Sequence, residues 1–127
     1  MPARTVLVLD DNPEFVRAVA ASVHALGLEV AACDDPDAFP CLLEREDVAA
    51  AIVDCMLGDR SGLALLALIA TDRPNLPTLV VSGYGDAFLS QARQVARSHG
   101  LERLTTLAKP FGAADLRAFL AEACTPA

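Results

Sequence analysis

Three aspartates, a serine and a lysine stand where short apolar runs stop. "VLVLDD" ends on Asp10 and Asp11, "AAIVD" on Asp54, "TLVVS" on Ser82 and "TLAK" on Lys109. If those runs are parallel strands of one sheet, their carboxyl ends share a rim and these side chains converge. Two carboxylates 5 Å apart repel by ~3 kcal/mol at an effective dielectric of ~20, a cost nothing in an ordinary surface loop repays. A bound dication repays it. The donors are all oxygens, with no His or Cys at ligand spacing, so the chemistry points to Mg²⁺ rather than zinc.

The elements that must position these groups are readable from hydrophobic periodicity. "TVLVLD", "AAIVDC" and "TLVVSG" are continuous apolar runs, the pattern of strands covered on both faces, and "EVAACD" and "RLTTLAK" are weaker runs suited to the sheet edges. Asn12 and Pro13 suit the N-cap and first position of a helix, along which Val16, Val19, Ala20, Val23 and Leu26 recur before Gly27 stops it. "PDAFPCLLERE" predicts a short helix whose regular part is confined to its C-terminal end by Pro40. Ser61 is expected to cap a helix through Leu65, Leu66 and Ile69. Phe88, Ala92, Val95 and Ala96 share one face of a further helix that ends at Gly100, and Leu116, Phe119, Leu120 and Ala123 do so in the last. Five strands, each followed by a helix, predict a three-layer α/β/α sandwich around a five-stranded parallel sheet with right-handed crossovers. Ligands of such folds bind at the carboxyl ends of the strands, where the strand order reverses.

Bulk properties narrow the function. The 127 residues suit one domain with a substantial core, and the 54% hydrophobic content with a mean hydropathy of +0.39 excludes a disordered chain. A formal net charge of -7, with no basic stripe, argues against nucleic acid or an anionic membrane as a direct partner. No apolar run approaches a membrane span, and "MPARTVLVLDD" lacks the form of a secretory signal, so a cytoplasmic protein is expected. Cys33, Cys41, Cys55 and Cys124 form no C-x-x-C pair and read as small, mostly buried thiols; Cys55 is expected to pack in the core. His24 and His99 have no acid or cysteine at ligand spacing and read as surface residues.

The set "DD", "DCMLGDRSG", "SG" and "KPF", each following a predicted strand and in this order, resembles the receiver domain of two-component response regulators, over nearly the whole chain. The resemblance implies a CheY-like, flavodoxin-like sheet of order 2-1-3-4-5 and a single receiver domain over 1–127. It implies Asp54 as the phosphoacceptor, with Mg²⁺ held by Asp11, Asp54 and the Met56 carbonyl, and by Asp10 mainly through water. Lys109, Ser82 and Gly83 would meet the phosphoryl group, and Pro110 is a candidate for a cis peptide. The phosphodonor would be a histidine kinase or a histidine phosphotransfer protein. Switching at Ser82 would alter a face that binds a downstream effector or a second copy as a homodimer. Such a chain catalyses only its own phosphorylation and dephosphorylation. The sequence stops just after the last helix, so a stand-alone or excised receiver is expected.

Taken singly, each residue has an ordinary explanation: Asp10, Asp11 and Asn12 as helix-capping groups, Ser82 as a turn residue, Lys109 as a solvated cation. Their joint position on one rim carries the reading. Three features depart from the family pattern. Thr106 stands where an aromatic residue is usual, which leaves Tyr84 as a candidate gate. The stretch from Ser82 to Lys109 is long, through "QVARSHGLERL". Gly58 replaces a frequent proline. Two rival functions remain, a constitutive protein-interaction module on the same fold and a phosphatase with an aspartyl nucleophile. Met56, where a second general acid would stand, weighs against the latter.

Overall fold

Alternating side chains along three covered strands feed two separate cores, one on each face of the sheet. The computed structural model of the chain describes residues 4–54, 56–57, 60–83 and 86–124. In chain order the elements are β1 (Thr5–Leu9), α1 (Pro13–Ala25), β2 (Glu29–Cys33), α2 (Phe39–Leu43), β3 (Val48–Asp54), β4 (Met56–Leu57), β5 (Arg60–Ser61), α3 (Leu63–Asp72), β6 (Thr78–Ser82), α4 (Asp86–His99), β7 (Leu104–Ala108) and α5 (Ala113–Ala123). The main sheet is parallel throughout, in the order β2-β1-β3-β6-β7. Counting only its own five strands, that order is 2-1-3-4-5, as expected.

Every residue of β1, β3 and β6 is buried, whereas β2 and β7 are the half-exposed edges. Leu7, Leu9, Ala51, Val53 and Val80 point to one face and pack with Phe39, Leu43, Leu65, Leu66, Ile69, Leu89, Ala92 and Ala96 of α2, α3 and α4. Val6, Val8, Ala50, Ile52, Leu79 and Val81 point to the other and meet Val19 and Val23 of α1 and Leu116, Phe119 and Leu120 of α5. A buried aliphatic or phenyl side chain contributes about 1.5–3 kcal/mol. The middle strands contribute on both faces at once, which is why their sequences show no polar alternation.

The ends of α1 follow local chemistry. The Asn12 Oδ1 accepts from the backbone N–H of Glu14 (3.0 Å) and Phe15 (3.4 Å), with Pro13 in the first turn. Gly27 at φ +78° and Gly100 at φ +83° adopt the left-handed backbone that closes α1 and α4, a conformation only glycine takes at no steric cost. Leu26 departs from its expected place on the apolar face: it is the C-cap and is 50% exposed. Ser61 departs too. It pairs with Met56 in the antiparallel β4–β5 ribbon, and Gly62 is the N-cap of α3, without a side-chain cap. The ribbon competes for Ser61 in a way that helix-start chemistry alone does not register. Cys41 is exposed, against the expectation of burial, and Cys33 and Cys124 are half-buried. Cys55 lies outside the described residues. His24 and His99 are both exposed.

Candidate functional site

Parallel pairing brings the strand ends together. β1 runs straight into Asp10, which is 3% exposed; Asp54 closes β3 at 7%; Ser82 closes β6 and is fully buried. Asp11 is exposed beside them. One oxygen from each of Asp10, Asp11 and Asp54 lies within 4.8 Å of the others, a group able to hold a metal ion. Met56 opens β4, two residues past Asp54.

Lys109 follows β7 and reaches back across this group. Its Nζ donates to Asp10 Oδ2 at 2.8 Å and to Asp54 Oδ2 at 3.3 Å. Its backbone N–H donates to the Ser82 carbonyl at 2.7 Å, tying the ends of β6 and β7. The Lys109–Pro110 peptide bond is cis. Burial pulls the Lys109 ammonium toward deprotonation, but the hydrogen bond and charge of Asp10 and the charge of Asp54 outweigh it, so its pKa is raised. Asp10 is fixed further through Oδ1, which accepts the Asn12 N–H at 2.9 Å.

Three carboxylates converge on this rim with the ammonium of Lys109 against two of them. A crowded acidic group of this kind suits a dication, and a donor set made only of oxygens suits a hard ion such as Mg²⁺ or Ca²⁺. The exposed side of the group opens into a cleft of about 540 Å³, which Asp10, Asp11, Arg17, Cys33 and Asp34 help to line.

Two aromatic residues beside Lys109 were not singled out from the sequence. The ammonium lies 4.4 Å from the centroid of the Phe15 ring, and Phe111 meets Phe15 edge-on at 5.9 Å and 85°. Both stand inside the motifs themselves, in "DDNPEF" and "KPF", which was the available signal. The negative ring face attracts the cation and limits where its side chain can swing.

The remaining candidates divide. Gly83 is exposed, and a Cβ built on it meets nothing within 4 Å, so no protein atom there demands glycine. Thr106 sits mid-strand in β7, opposite Val80, and its Oγ1 accepts from Arg93 Nη1 of α4 at 2.8 Å. Tyr84 and Gly58 lie outside the described residues.

Comparison with known sequences decides the family. The profile described as "Response regulator receiver domain" matches residues 6–121. The chain belongs to the response regulator receiver domain family. This receiver is 29% identical over 119 residues to the acid tolerance regulatory protein ActR of Sinorhizobium medicae, covering 94% of the chain and 59% of that relative. It therefore spans little more than half the length of that curated relative. Among solved structures it is similar to the receiver domain of NtrX from Brucella abortus, with TM-score 0.78 and 27% identity, covering 96% of this chain and 99% of that one. A response regulator from Burkholderia pseudomallei, with a phosphorylated aspartic acid, calcium ion and citrate, matches at TM-score 0.77 and 30% identity over 92% of this receiver and 66% of that chain. None of the helices described in this receiver is long and apolar enough to cross a membrane.

Proposed function

We propose that Asp54 accepts a phosphoryl group from a phosphohistidine on a partner protein, a histidine kinase or a histidine phosphotransfer protein. The observation that carries this reading is the convergence of Asp10, Asp11 and Asp54 on one rim with Lys109 already bonded to Asp54. In the transfer, an Asp54 oxygen attacks phosphorus and a new O–P bond forms. The P–N bond to the partner's imidazole breaks, and its electron pair stays on the nitrogen. Phosphoryl transfer asks mainly for alignment and for neutralisation of the oxygens. Asp10, Asp11, Asp54 and the Met56 carbonyl would hold Mg²⁺, which supplies positive charge against those oxygens. The phosphorylated aspartate and calcium ion of the Burkholderia protein support a dication of this kind.

Lys109 supplies the opposing charge, exchanging its bond to Asp54 for one to a phosphoryl oxygen while the Phe15 ring confines its path. Ser82, with Gly83 beside it, donates its hydroxyl to a second oxygen. The chain acts as one receiver domain over 1–127, in the cytoplasm. Beyond modifying itself and resetting by hydrolysis, it catalyses nothing. Its phosphorylated form favours a downstream effector or a second copy.

Incubation of the chain with Mg²⁺ and acetyl phosphate tests the proposal by intact mass. Incorporation of one phosphoryl group, lost in Asp54→Asn and on chelation of Mg²⁺, is expected. Protein that stays unmodified would instead favour a constitutive interaction module, and sustained turnover of added phosphate esters a phosphatase.

A further inference from the structure

We propose that Phe15 is a positioning residue for the phosphoryl transfer: the face of its ring, rather than its bulk, keeps the Lys109 ammonium beside Asp54. The inference rests on the phosphoacceptor reading and deepens it by assigning a residue to the hold on Lys109. An ammonium has three N–H donors. Lys109 gives one to Asp10 at 2.8 Å and one to Asp54 at 3.3 Å, and its Nζ lies 4.4 Å from the centroid of the Phe15 ring. The two carboxylate bonds are contested. Asp10 and Asp54 are the proposed ligands of the dication, and Asp54 is also the group that takes phosphorus, so both bonds compete with the reaction they serve. Neither the metal nor the phosphoryl group has a claim on the ring. It is the contact of the ammonium that persists through the transfer.

The ring is itself fixed. Phe15 lies in the first turn of α1, its N–H donating to the Asn12 cap at 3.4 Å, and its side chain packs with Phe111 against the core beneath α1 and α5. The two rings meet edge-on, 5.9 Å apart at 85°. Phe111 follows soon after Lys109, so the brace comes from the segment that carries the ammonium. Beyond the rings lies a cavity of about 560 Å³ between α1 and α5, bordered by Phe15, Lys109, Phe111, Val19 and Leu116. The Lys109 ammonium sits on a flexible aliphatic stem and is partly exposed, and this cavity gives the stem room to turn away from Asp54. An aliphatic side chain at position 15 would fill space yet offer the ammonium no negative face, and an apolar wall does not attract a charge.

The test replaces Phe15 in the full chain by mono-, di- and pentafluorinated phenylalanine, which keep the shape of the ring while draining its face of negative potential. Phe15→Leu and Phe15→Tyr accompany them. Initial phosphoryl incorporation from acetyl phosphate with Mg²⁺ is followed by intact mass. The rate is expected to fall stepwise with fluorination, about three- to tenfold in all, with Phe15→Leu as slow as the pentafluorinated protein and Phe15→Tyr matching the wild type. A second readout needs neither metal nor phosphodonor. The ring current should displace the NMR signals of the Lys109 ε-methylene protons upfield in the wild type and in Phe15→Tyr, and Phe15→Leu should lose the displacement. A rate that stays flat along the fluorinated series, whether or not Phe15→Leu is slow, would overturn the inference and leave the phosphoacceptor reading standing. So would undisplaced ε-methylene signals in the wild type. Failure of the wild type to incorporate a phosphoryl group, with those signals displaced, would overturn the phosphoacceptor reading and with it the role in transfer.

Discussion

At the amino ends of the strands, just before β3, Asp47 accepts from Thr5 Oγ1 at 2.6 Å and from a two-pronged Arg45 at 3.0 and 3.2 Å, while Arg73 donates to the Arg45 carbonyl. At the carboxyl ends, Asp10 and Asp54 share the ammonium of Lys109, and Asp11 stands beside them. Both rims thus anchor a carboxylate with a cation. The amino-end carboxylate meets as much positive charge as it carries and is further supplied with a hydroxyl. It joins β1 to the start of β3 and asks for nothing more. The carboxyl-end group gathers three carboxylates around one ammonium, beside an open cleft. The difference teaches that an acid in an ion pair marks structure when it stands alone with its cation, and chemistry when carboxylates crowd around a shared one.

The sharpest way to break this contrast is Lys109→Met. It strips the ammonium from the buried Asp10 carboxylate, at a cost of about 2–3 kcal/mol, less than a fully buried pair loses because Lys109 keeps a wet edge. Added Mg²⁺ should then raise the thermal midpoint by more in this variant than in the wild type. Equal rises in the two proteins would mean that lysine and dication do not compensate the same charge.

At the other rim, Thr5→Val should cost about 1.5 kcal/mol in denaturant unfolding, since a buried hydroxyl bonded to a charged acceptor is lost. It should leave phosphoryl uptake untouched. The same rim also carries an acid signature. The Arg45 fork, followed by the Thr5 hydroxyl, lowers the Asp47 pKa from 3.8 to about 2. The unfolded chain binds that proton first. The stabilisation from Asp47 is therefore whole above pH 3.8 and is lost as the pH falls through about 2. In Asp47→Asn, thermal midpoints followed through this window should lose that component of the acid dependence.

The smallest expected effect has the opposite sign. Asp11→Asn removes one of the crowded charges while sparing both bonds of Lys109, and should stabilise the metal-free protein by about 1 kcal/mol. Its response to Mg²⁺ should shrink in the same melting experiment. A destabilised variant would show that Asp11 is held by balanced contacts, as Asp47 is.

These two rims were unequally readable. Asp10, Asp11, Asp54 and Lys109 announce themselves because each ends a short apolar run, and the run, its length and the residue after it are adjacent in the chain. Asp47 gives no such signal. It follows Glu46 in an acidic stretch, and its partner Thr5 is 42 positions away. The Arg93–Thr106 bond was hidden for a related reason. Thr106 was noticed for the ring it lacks, and nothing local says which helix residue would face it. Around Ser61, local reasoning went astray because a two-strand ribbon claimed the residue that a helix cap would have used.

The order of strands and helices, the apolar strands that must lie inside and the acids at their ends were all determined by the sequence itself, since periodicity and residue type act over a few neighbouring positions. Tertiary structure alone decided which groups meet: Lys109 closer to Asp10 than to Asp54, Phe15 against that ammonium, Arg93 on Thr106. Such pairings depend on sheet register and on where each helix settles. Those are set by packing summed over both cores, and no short stretch of the chain contains that sum.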